Sequence, residues 1–160
     1  MQNILTSVHS VLAYIVLIVL ILAFLNATSG WLSKRDFKMS KDLRISLFAL
    51  ILSHTQLLLG LIVYFISSNG LNAITSIGIG NLNSAARLLA LEHPTTNIIA
   101  IVLITIGWSK HKRKEASDAK FKTLSLYYGL GLLLILSRIP WGPELGIQGA
   151  AIASLLVNFL

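Results

Sequence analysis

Read from the N-terminus, the apolar positions of this chain do not alternate with polar ones; they run on. Four apolar runs stand out, at residues 4–25, 43–66, 88–108 and 123–141, the first uninterrupted from Val11. Each is close to the roughly 20 residues that carry a helix across about 30 Å of hydrocarbon. Strands are excluded by the length of the runs and by the lack of a period of two. An open sheet would also leave backbone groups unpaired in lipid. The pattern predicts an all-α integral membrane four-helix bundle over residues 1–142, with spans at about 4–26, 43–66, 88–109 and 123–141.

Two stretches fall outside this frame. Residues 67–86 are rich in Gly, Asn and Ser and show no clear period, as expected of a flexible or interfacial loop. Residues 143–160 form a short apolar tail with small residues at Gly149, Ala150, Ala151, Ala153 and Ser154. Helical residues from Gly146 onward reach only about 22 Å, which leaves an interfacial helix, a half-helix or a partial fifth span open.

Composition agrees with the pattern. The chain is 55% apolar and only 12% charged, where soluble domains carry roughly a quarter charged residues. Cysteine is absent, which excludes disulfides, thiolate metal sites and cysteine-linked haem. The net charge of +7 does not point to nucleic acid, because eleven of the 13 basic residues fall in two short segments between apolar runs. Lys34, Arg35, Lys38, Lys41 and Arg44 make up the first group, and Lys110, Lys112, Arg113, Lys114, Lys120 and Lys122 the second. With four spans, the loops at 28–42 and 110–122 share a side. The positive-inside rule makes that side the cytoplasm and puts the N-terminus outside. Trp31, Trp108 and Trp141 read as interfacial belt residues, and His111, among lysines, as a solvated loop residue.

Ionisable groups within the spans each need a physical reason, because each costs on the order of a few kcal/mol in hydrocarbon. They are His9, His54, Glu92, His93 and Arg138. Counting from the inner boundary puts His9 about 30 Å up, Glu92 and His93 about 25–27 Å, Arg138 about 24 Å and His54 about 15 Å. The first four form a layer below the outer surface, with His54 near the midplane. Imidazoles from facing helices can ligate a haem iron. By depth His9 pairs best with His93, and His54 with His93 is the wider alternative. Arg138 then answers Glu92 or a haem propionate through its planar fork. Asn97, one turn after His93, is placed to orient its ring, and Ser53, Gln56 and Gly60 share one packing face of helix two. For Tyr14 and Tyr64 two readings stay open, lining a cofactor pocket and, the plainer one, core packing. Plainer roles stay open: interhelical hydrogen bonding for His54, an interfacial position for His9, and a structural ion pair for Glu92 and Arg138. His93 is a buried residue if helix three continues through Pro94, and a cap if the helix starts there; the required span length favours continuation.

The stretches His54-Thr55-Gln56-Leu57-Leu58-Leu59-Gly60-Leu61, Glu92-His93-Pro94, 101–107 and Ile139-Pro140-Trp141 resemble a small four-helix bacterial inner-membrane family, of Bacteroidota type, that carries the label cytochrome b. The resemblance runs from His9 to Trp141. It departs at Trp108, where relatives tend to have histidine, and in the tail. It implies a multi-pass inner-membrane protein that binds haem b through His9, His54 or His93 and exchanges electrons, with quinone as a further cofactor. A non-enzymatic accessory subunit of a membrane complex, a homo-oligomer, and a proton- or ion-conducting bundle are the alternatives. No motif of a soluble enzyme is present, and Glu92 is the sole acid in the four predicted spans, so an electron carrier or accessory protein is expected rather than a stand-alone enzyme.

Overall fold

A computed structural model describes residues 2–140. Four helices in it are long and apolar enough to cross a membrane: Asn3–Leu32, Met39–Ile77, Ser84–His111 and Ser117–Ser137. Within these stretches the regular elements are α1 (Gln2–Leu32), α2 (Arg44–Ile66), α3 (Leu71–Ile77), α4 (Ser84–Arg87), α5 (His93–His111) and α6 (Ser117–Ser137). Wider π-helical turns, Met39–Leu43 and Leu88–Glu92, lead into α2 and α5. Among the described residues there is no strand. The expected tail at 143–160 lies outside them.

The packing is that of a protein sorted against lipid. Large apolar side chains point outward all round: Ile18, Leu22, Phe48, Leu58, Val102 and Leu133 are each about half exposed or more. Small and polar residues point inward, with Ala23, Ala27, Ala49, Ala100, Ser46 and Ser53 buried. Lipid tails are as apolar as leucine, so helices gain nothing by hiding leucine from them. They gain by close backbone approach and interhelical hydrogen bonds. Around the bundle α1 neighbours α2 and α6, and α5 neighbours α6 and α2. The core gathers Leu20, Ile104, Phe121, Leu124 and Tyr128 between them.

Predicted boundaries shift at α1, at 67–86 and at α6, which starts at Ser117 rather than 123, and one expected continuation is met. α1 runs six residues beyond the expected end at 26, because its polar last turns face protein: Thr28 Oγ1 lies 2.8 Å from Ser125 Oγ of α6. Residues 67–86 are not a plain loop but contain α3 and a 3₁₀ turn, Ile79–Asn81. Exposed Leu71, Ile77 and Ile79 give this segment an apolar outer side suited to the membrane surface. The helix entering α5 does continue through Pro94. Proline lacks an N–H and crowds the carbonyl four residues back. The chain meets this with the wide turn Leu88–Glu92, in which the His93 N–H bonds to the Leu88 carbonyl, five residues back.

The two basic segments lie together at one end of the bundle. Here Arg35 forks onto Asp42, with Nη1–Oδ2 and Nη2–Oδ1 both 2.8 Å. Asp42 is 0% exposed and also accepts from Asn26 Nδ2 at 2.9 Å and the Lys38 N–H at 2.7 Å. The carboxylate hydrogen bonds raise the Arg35 guanidinium pKa above its ordinary value, so this clasp stays charged on the arginine side at any physiological pH. His111 is not a solvated loop residue. It is 2% exposed, its Nδ1–H donates to the Trp108 carbonyl at 2.6 Å, and Phe37 folds over it. Trp108 is buried beside it rather than set in an interfacial belt.

Candidate functional site

The opposite end of the bundle is built differently. α1, α2, α5 and the end of α6 surround a cavity of about 350 Å³. Its upper wall carries His9, Gln56, His93 and Asn97, and its floor Val16, Leu17, Leu20, Leu57 and Ile101. Tyr14 and Tyr64 also line it, rather than being closed into the core.

His9 and His93, from α1 and α5, face each other as edge to face, with ring centres 6.4 Å apart and planes at 85°. Each ring is held. The His93 Nδ1–H donates to the Arg138 carbonyl at 2.8 Å, which orients the ring. Asn97 Nδ2 lies 3.2 Å from that Nδ1 and donates to the His93 carbonyl at 2.6 Å. On the other side Gln56 Nε2 donates to the His9 carbonyl at 2.9 Å and approaches His9 Nδ1 at 3.1 Å. Gly60 matters here because a Cβ on it would come within 2.9 Å of His9 Cε1. The face of Ser53, Gln56 and Gly60 is thus the surface on which the His9 ring rests, although Ser53 itself turns back to the Ala49 carbonyl. Gln56 Oε1 is buried with no hydrogen-bond partner among the described residues.

Glu92 takes two arginines. Arg138 Nε lies 3.4 Å from Oε2, as the ion-pair reading expects, and Arg87 Nε lies 3.0 Å from Oε1. Arg87 is the partner that the sequence reading missed; a basic residue five positions before an intramembrane acid was the available signal.

His54 is not brought to the other two. It does not line the cavity. Its Nδ1–H donates to the Leu50 carbonyl at 2.9 Å, and its Nε2 faces Thr105 Oγ1 of α5 at 3.3 Å. That is interhelical hydrogen bonding between α2 and α5, the plainer role.

Among the described residues no group of three or more His, Asp or Glu side chains is placed to share a metal ion. What the site offers is a pair of imidazoles. Imidazoles from two facing helices are the residues here that could together hold a haem iron. The void of about 350 Å³ is at the small end of the range for pockets that hold organic ligands.

No protein-family model, no curated protein and no solved structure matches the chain.

Proposed function

We propose that this chain is a haem-binding, cytochrome b-like electron carrier of a bacterial inner membrane, in which His9 and His93 would hold the haem. The observation that carries the reading is the 6.4 Å separation of two imidazoles from different spans inside one cavity. A bound haem supplies one-electron chemistry at its iron. The chain's own residues do the rest. The Arg138 carbonyl orients His93 and makes it a stronger donor at Nε2. Gln56 and Gly60 fix the position of His9. Arg87 and Arg138 at the rim, already drawn to Glu92, suit the carboxylates of a haem edge. The positive-inside rule places the basic segments in the cytoplasm and the imidazole pair near the outer surface.

Purification from membranes supplied with haem, followed by an optical spectrum, tests the reading. A Soret band is expected that is lost in His93→Ala and His9→Ala and kept in His54→Ala. A colourless, folded protein removes it. The small void with a polar upper wall and apolar floor favours a quinone headgroup as the second reading. That reading expects a colourless protein from which solvent extracts quinone.

A further inference from the structure

A second void adjoins the imidazole cavity. It measures about 450 Å³ and is lined by Asn3, Thr6, Ser7, Ser10, Val11, Ser67 and Asn69. Only Val11 in that lining is apolar. Asn3, Thr6, Ser7 and Ser10 follow i, i+3, i+4, i+7 spacing, so one face of α1 is polar in its first two turns while Ile4, Val8 and Ile15 point outward. The turn after α2 supplies the facing wall through Ser67 and Asn69. Thr6, Ser10, Ser67 and Asn69 line both voids, so the two abut. A void of this size with several polar partners holds water, whereas an apolar one stays dry. The floor of the inner cavity is of the second kind. Leu20 is fully buried, and Val16 and Ile101 are nearly so; below them lies the apolar core around Ile104 and Leu124.

We propose that the polar groove on α1 is a water-filled half-channel that delivers water and protons from the outer aqueous phase to His9 and stops at the apolar floor beneath it. Among the described residues, the titratable groups around its inner end are few. His93 of α5 faces His9, Tyr14 of α1 and Tyr64 of α2 line the same cavity, and Gln56 and Gly60 of α2 bring no charge. Glu92, Arg87 and Arg138 pair with one another at the rim. His9 is therefore the first proton acceptor that water in the groove meets. The inference goes beyond haem binding and needs no haem to be tested.

The natural chain has no cysteine, so single cysteines report without background. Ser7→Cys, Ser10→Cys, Asn69→Cys and the outward-facing control Val8→Cys are reconstituted in liposomes. A charged, membrane-impermeant thiosulfonate is then applied to each side in turn. Thiolate forms only where water reaches, so Ser7→Cys and Ser10→Cys are expected to react about tenfold faster than Val8→Cys, and only from the side of Asn3. In protein labelled with ¹⁵N at imidazole, His9 exchanges its ring proton with water and His54 does not. Equal reactivity of Ser10→Cys and Val8→Cys overturns the proposal. So does labelling of Ser10→Cys from the side of the basic segments, which would mean a through-pore. Should one variant fail to fold, the other two cysteines and the exchange measurement still decide.

Discussion

The two ends of this bundle use polar residues in opposite ways. At the basic end they satisfy one another. Asp42 receives four hydrogen bonds, from Arg35 twice, Asn26 and Lys38. The Tyr128 hydroxyl donates to the Ser46 carbonyl at 2.8 Å, and Arg35 stacks over Phe121 at 4.5 Å. Among the described residues no buried side-chain donor or acceptor at this end lacks a partner, and the space is filled by Phe37, Phe121, Trp108 and His111. At the other end polar groups surround a void, and Gln56 Oε1 has no partner among the described residues. A buried acceptor left without a donor costs about 1–3 kcal/mol. Among the described residues, the end that ties the helices together is thus distinct from the end that surrounds the cavity.

That contrast can be broken by substitution. The largest effect is expected for Asp42→Ala, which strands the half-buried Arg35 guanidinium and should lower stability in detergent by about 3 kcal/mol. Adding Arg35→Ala should cost little more, because the pair acts as one; the midpoint of chemical unfolding of both variants measures this. Next comes Gly60→Val, whose branched side chain meets the His9 ring. It should cost about 1–3 kcal/mol, and unlike Asp42→Ala it should abolish any cofactor signal at temperatures where the helices remain intact by circular dichroism. Tyr128→Phe removes one buried hydrogen bond from the closed end and should cost about 1 kcal/mol in the same unfolding assay, with the cofactor spectrum unchanged. The smallest effect is expected for Arg138→Ala. Its pair with Glu92 is half exposed and should contribute no more than about 0.5 kcal/mol. Because His93 is held by the backbone carbonyl of residue 138, its ring orientation should survive, as imidazole NMR shifts would report. A loss of stability from Arg138→Ala as large as that from Asp42→Ala would erase the distinction between the ends.

Much of the open end was legible by counting residues. Rise per residue alone put His9, Glu92, His93 and Arg138 at one level, and the structure brings them together there. Helical spacing put Gln56 and Gly60 on one face, and that face meets His9. The closed end was not legible in the same way. Asn26, Arg35 and Asp42 sit on three separate elements, and in the sequence they look like the ordinary polar edge of two spans and a loop. Only the fold of 33–38, which swings Phe37 back until its N–H meets Ser117 Oγ at 3.0 Å, reveals them as a clasp and buries His111. Hydropathy also ended α1 too early, since it cannot tell a polar residue facing another helix from one facing water. His54 shows the plainer of its two readings. A histidine at mid-depth suggests chemistry, yet its neighbours four residues back and across the interface occupy both ring nitrogens.

The wide turn at Leu88–Glu92 has an arithmetical consequence. It stows one residue more than an α-helical turn would, and each residue of an α-helix advances the face by about 100°. Deleting a single residue such as Ala90 would keep every helix at nearly its present length. The turn would then close as an ordinary α-helical one, with Arg87 and His93 kept nearly in phase, but Pro94 would crowd the carbonyl four residues back without relief. The wide turn thus absorbs the extra residue where it stands, and the helices on either side keep the facing that the pocket uses.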